Sequence, residues 1–122
     1  MSTGDAPRQG EVWIANLDPT IGDEIRKRRP ALVISRDELN ASGAPGRRVV
    51  VVAPMTTTPT VGAVPVLVPA HDGEPARTSH VLPWQIRAIS GERLTRRVMT
   101  VDRTTLEDVS LRARLLISVP TA

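Results

Sequence analysis

The sequence predicts a mainly β, α+β domain: a small, strongly bent antiparallel sheet or partial barrel of five to six short strands, closed by a C-terminal amphipathic helix. Three observations predict it. Short, β-branched apolar runs recur from residue 11 to residue 101, with Gly and Pro between them. After Asp102 the hydrophobic period changes from two to steps of three and four. The 122 residues, 40% of them hydrophobic, suit one core and leave little room for a second. The expected organisation is a flexible N-terminal segment over 1–9, one domain over 10–118 and a tail over 119–122.

Residues 11–17 (EVWIANL) alternate and read as a first strand, which Asp18, Pro19 and Gly22 then break. A long charged loop follows, with consecutive bases from Arg26 to Arg29 ahead of Pro30. Residues 31–35 (ALVIS) form a short apolar strand, and 36–40 suit a single helical turn. The run 48–53 (RVVVVA) is β-branched and apolar throughout after Arg48, which marks a strand covered on both faces. Residues 64–68 (VPVLV) make an edge strand, because Pro65 has no N–H to give to a ladder. The loop 70–78 leads to a strand over 79–89 that Pro83 must kink or bulge, and 94–101 gives one more strand. In the last segment Asp102 offers an N-cap, and Leu106, Val109, Ala113, Leu116 and Ile117 form the apolar stripe of a helix.

Composition narrows the chemistry. There is no Cys, which excludes disulfides, thiolate metal sites and a cysteine nucleophile. No run approaches the roughly 18 apolar residues of a membrane span, so a soluble, cytoplasmic protein is expected. Fifteen of the sixteen basic residues are Arg, with Lys27 the exception, and the net charge is +3. Arg grips phosphate bidentately, which makes a phosphate-bearing partner a fair first expectation. Trp13 and Trp84 are the only aromatic residues, so modules that stack several bases on several rings are improbable.

Three polar groups stand at strand ends, where side chains can be displayed without breaking the core. The first runs from Asp23 and Glu24 through Arg26, Lys27 and Arg28 to Arg29, whose position before Pro30 biases it to extended geometry. It reads equally as a solvated loop. The second is Pro54-Met55-Thr56-Thr57-Thr58-Pro59, where a hydroxyl is either held by the rigid strand before it or merely terminates that strand. The third is Trp84-Gln85-Ile86-Arg87, in which alternation places Gln85 and Arg87 on one face. Asp18, Asp23 and Glu24 lie in one loop with no supporting carboxylate motif, and His71 and His80 lack a Cys or a helical partner, so no metal site is expected.

The order of these motifs resembles the MazF/PemK toxins of bacterial toxin–antitoxin systems. The likeness rests on Gly10-Glu11-Val12-Trp13, Asp18-Pro19-Thr20 with Gly22-Asp23-Glu24, and Arg29-Pro30-Ala31-Leu32-Val33-Ile34-Ser35. It continues in Pro54-Met55-Thr56-Thr57, Gln85-Ile86-Arg87-Ala88-Ile89 and Arg93-Leu94, and covers about residues 8 to 118. The resemblance implies an SH3-like partial barrel, a homodimer, and an endoribonuclease that cuts single-stranded RNA at short sequences without a metal or other cofactor. It implies Arg29 and Thr56 as the catalytic pair. Asp23, Glu24, Arg26, Lys27, Arg28, Thr57, Gln85 and Arg87 are then the expected RNA-contacting residues, and an acidic antitoxin the expected protein partner. Asp23, Ile25 and Trp84 stand where the family commonly has Ser, Gln and an acidic residue, which bears on RNA preference. A toxin of the same fold that binds a protein target such as DNA gyrase is the alternative.

Overall fold

The computed structural model describes residues 6–17, 28–58, 66–68 and 79–121. In chain order the elements are β1 (Glu11–Asn16), β2 (Arg28–Val33), the short helical turn α1 (Asp37–Asn40), β3 (Val49–Thr56), β4 (Val66–Val68) and β5 (Ser79–Val81). A 3-10 turn (Pro83–Gln85) leads to β6 (Arg87–Ser90), and a second (Gly91–Arg93) to β7 (Leu94–Thr100), after which α2 (Arg103–Ile117) ends the fold. The strands pair antiparallel in the order β4-β5-β3-β2-β1-β7, with β6 also on β3.

β3 is the spine. One edge carries β2, while the other is shared: β6 pairs with Val49–Val52, and β5 with Met55 and Thr56. β5 and β6 are thus two halves of the strand expected over 79–89. Pro83 has no N–H for a ladder and instead opens the 3-10 turn that breaks the strand. This is why seven strands appear among the described residues where five to six were expected.

The connectivity forces the sheet to curl. Laid flat, β6-β3-β2-β1-β7 would separate the outer two by four strand spacings, about 19 Å. A single 3-10 turn joins Ser90 to Leu94, and at about 2 Å rise per residue it spans about 8 Å. The five strands therefore bend into a partial barrel. Bulges in the β1–β7 pairing, between Val12 and Trp13 and between Ile14 and Ala15, add twist on that side.

Each face of the bent sheet has its own apolar cluster, as strict alternation requires. Val12, Leu32, Ala53, Met55 and Val81 point to one face and are covered by α2 through Val109 and Leu106. Ala15, Leu17, Ala31, Val33, Val50, Val52, Ile89 and Leu94 point to the other, where the curl itself buries them. Leu32, Met55, Val52 and Val109 are wholly buried.

The expected elements are present, with shifted ends. β2 begins at Arg28, so Arg28 and Arg29 belong to a strand and not to the charged loop. Extended geometry, which Pro30 favours in the residue before it, pairs them with Asn16 and Ala15 of β1. β3 runs on through Pro54, Met55 and Thr56. Pro54 is tolerated there although the strand is central, since its carbonyl still accepts from the Leu82 N–H at 2.9 Å. Asp102 is the N-cap of α2, accepting from the Thr105 N–H at 2.7 Å. Of the expected helical stripe, Val109 and Ala113 are buried, but Leu116 and Ile117 are exposed, Ile117 at an open cleft that it lines with Ile34, Val51 and Ile86. At the other end, Arg8 and Gln9 are tied to the domain. The Arg8 N–H donates to Glu11 and the Gln9 side chain to the Ile34 carbonyl, and Gly10 takes the positive φ that turns the chain into β1.

Candidate functional site

The site is built by register. β2 pairs Ala31 with Pro54, Leu32 with Ala53 and Val33 with Val52. The same register continued two residues along both strands sets Arg29 opposite Thr56. The paired ladder itself ends at Ala31 and Pro54; its continuation would bring Arg29 and Thr56, 27 positions apart in sequence, to one face of the sheet. Parity agrees, since Arg29 alternates with Ala31 and Val33, and Thr56 with Pro54 and Val52, all on the face of the second cluster.

Thr56 is held firmly. Its side chain is 7% exposed, and its Oγ1 accepts the Thr58 N–H at 3.1 Å. That bond occupies one lone pair and leaves the hydroxyl hydrogen to donate elsewhere. Thr57 lies just beyond the strand in a bend and is half-buried, so the strand's alternation stops at Thr56. Arg29 and Arg28 are exposed.

Arg87 opens β6 opposite Val52, which puts it on the same face as Arg29 and Thr56. Its Nη1 donates to the Leu17 carbonyl at 3.2 Å, and Arg93 Nη1 donates to the Asn16 carbonyl at 3.2 Å. These two guanidiniums hold the end of β1 and the residue that follows it. Gln85 lies in the 3-10 turn, so it does not share a strand face with Arg87; the expected alternation fails where Pro83 breaks the strand. Asp23, Glu24, Arg26 and Lys27 lie outside the described residues, as do Asp18, Ile25 and His71.

One residue at the site escaped the sequence reading. β5 pairs His80 directly with Thr56, on the strand edge away from Arg29. The signal was present in the alternation of Ser79, His80 and Val81, but their partner strand could not be known. Among the described residues no group of three or more His, Cys, Asp or Glu is placed to hold a metal ion. Glu11 lies elsewhere, engaged by Arg97, Trp13 and the Arg8 N–H.

A hydroxyl held by a rigid strand, with arginines on the same face, is the donor chemistry that suits a phosphate group, here on a small curled β-domain. The chain belongs to the PemK-like, MazF-like toxins of type II toxin–antitoxin systems, whose family model matches residues 8–117. It is similar to Endoribonuclease MazF9 of Mycobacterium tuberculosis, 38% identical over 91 residues that make up 73% of this chain and 77% of that one. Its fold is similar to the crystal structure of MazF from Deinococcus radiodurans, with a TM-score of 0.78, 25% identity, and 93% of this chain and 97% of that one covered. The Mycobacterium tuberculosis toxin MazF-mt6 superposes with a TM-score of 0.65 at 27% identity, covering 84% of this chain and 90% of its own.

Proposed function

We propose that this chain is the toxin of a toxin–antitoxin pair and an endoribonuclease that cuts single-stranded RNA, including mRNA, by attack of a 2′-hydroxyl on the adjacent phosphorus, so arresting growth. The feature that carries the reading is an arginine, Arg29, that the β2–β3 register, continued past Ala31 and Pro54, brings to the face of the strand-held Thr56 hydroxyl. A toxin acting only by binding a protein such as DNA gyrase has no need of a guanidinium set against an oriented hydroxyl.

In the reaction the O2′–P bond forms as the P–O5′ bond breaks, a proton leaves O2′ and one is gained by O5′. The products are a 2′,3′-cyclic phosphate and a 5′-hydroxyl. Negative charge grows on the nonbridging oxygens, and the fixed fork of Arg29 N–H donors stabilises it there. The Thr56 hydroxyl, oriented by the Thr58 N–H, donates to a phosphate oxygen and holds the phosphorus in line. Arg29 acts by charge and not by proton transfer, since a guanidinium stays protonated in proteins. Positive charge on the side chain does here what a cation does elsewhere, and the proposed reaction uses no metal.

Two partners belong to this reading. A homodimer is supported by the exposed apolar side chains at the end of α2, where Leu115, Ile117 and Val119 are 64%, 70% and 87% exposed. An acidic antitoxin peptide is supported by the arginines of the site, which attract polyanions of either kind.

The test is incubation with mixed-sequence RNA in excess EDTA, followed by analysis of the new ends. Fragments with 2′,3′-cyclic phosphates and 5′-hydroxyls are expected. Activity that disappears with chelation and returns with Mg²⁺ would overturn the reading and direct attention to Asp18, Asp23 and Glu24.

A further inference from the structure

The row across the sheet does not end at Thr56. His80 of β5 pairs directly with Thr56 of β3, and Arg29 of β2 comes to the other side of Thr56 when the β2–β3 register is continued past Ala31 and Pro54. Arg29 and His80 thus flank the hydroxyl from opposite sides, about one strand spacing away on each. Ser79 and Val81, before and after His80, are 1% and 0% exposed and turn to the other face, so alternation fixes the imidazole on the side of Thr56.

The ring is partly exposed, yet its Nδ1 is buried and has no hydrogen-bond partner among the described residues. A buried N–H without an acceptor is rarer and costs more than a buried lone pair. The neutral imidazole therefore carries its proton on Nε2, and the bare lone pair lies on Nδ1. Such a ring is a donor without charge. A phosphodiester presents only acceptors to the protein, so an N–H beside Thr56 is complementary to it in the same sense as the Arg29 fork.

We propose that His80 is a third RNA-contacting residue, donating its Nε2–H to an oxygen of the phosphate seated on Thr56. The proposal rests on the reading of this site as RNA-cleaving. Arg29 supplies charge from one side, His80 a neutral donor from the other, and the Thr56 hydroxyl lies between them.

The experiment uses the full chain and single-stranded RNA carrying 2′-O-methyl groups, which cannot attack, so that binding is read apart from cleavage. Cleavage of the matching unmodified RNA is measured in parallel. His80→Phe keeps a ring and removes the donor. It is expected to weaken binding and lower kcat/KM by about tenfold, the scale of one lost neutral hydrogen bond. His80→Gln, which keeps an N–H donor, is expected to recover most of that loss. Because the donor is uncharged, the dependence of binding on log salt should keep its slope in His80→Phe, whereas Arg29→Ala should reduce it by about 0.7. If His80→Phe fails to fold, His80→Ala replaces it in the same comparison. Wild-type binding and cleavage in both variants would overturn the contact. Loss of kcat alone, equal in Phe and Gln, would overturn it in favour of proton transfer by the ring. Failure of the underlying reading looks different: the wild-type chain would leave unmodified RNA intact, or would cut the 2′-O-methyl RNA.

Discussion

Thr56 and Thr57 are chemically alike and adjacent, and the fold separates them. Thr56 closes β3 with its Oγ1 bound to the Thr58 N–H, while Thr57 lies outside the ladder. Thr56→Val keeps the β-branched shape and removes the hydroxyl, so cleavage should fall by about 10²- to 10³-fold, the loss seen when one preorganised donor is removed. Thr57→Val should matter much less. Single-turnover rates on one RNA give the comparison, and equal losses would show the active hydroxyl to be misplaced. At this scale the sequence was a partial guide. Arg29 and Thr56 were singled out by their motifs, but how β2 and β3 align could not be read, because register between strands is a property of pairing and not of either segment. For the same reason His80 was read as a poor zinc ligand and not as a neighbour of Thr56.

Elements were more legible than their ends. The change of period at Asp102 located α2, and the capping carboxylate is where composition suggested, accepting from the Thr105 backbone N–H. That hydrogen bond holds the Asp102 carboxyl below its ordinary value. A carboxyl whose folded value is depressed contributes stability that is present above the unfolded value of about 3.9 and lost as pH falls through the folded one. Asp102→Ala should therefore lower Tm at neutral pH, and the difference from wild type should shrink below about pH 4. Thermal scans at pH 7 and pH 3 test this; a gap that does not narrow would mean that the cap does not act through its charge. β2 was expected to start after Pro30, because a run of bases resembles a loop. What composition could not show is that β1 offers Arg28 and Arg29 a pairing partner. Similarly, Leu116 and Ile117 continue the helical stripe in sequence but are left exposed, where Val109 and Ala113 are buried.

The whole molecule is a partial barrel whose closure follows from one short turn between β6 and β7. Five or six bent strands were expected from Gly and Pro punctuation, whereas the strand order that makes the sheet curl could be seen only once pairing was known. The curl gathers Arg29, Thr56 and Arg87 on one face and leaves the apolar end of α2 open to a second copy. Light scattering at micromolar concentration should accordingly report a dimer, and a monomer would contradict the proposal that a second copy covers that apolar surface. An acidic antitoxin peptide should bind with strong salt dependence and block cleavage by competition. Replacing Arg87 should weaken both RNA and peptide.

The central claim is that Arg29, set across from Thr56, stabilises the charge that develops on the phosphate. The most direct measurement is the single-turnover cleavage rate of Arg29→Ala in excess EDTA, beside its melting temperature. The claim predicts a rate loss of at least about 10²- to 10³-fold with Tm nearly unchanged, since Arg29 is exposed and outside both apolar clusters. Near-normal cleavage by a folded Arg29→Ala variant would contradict it.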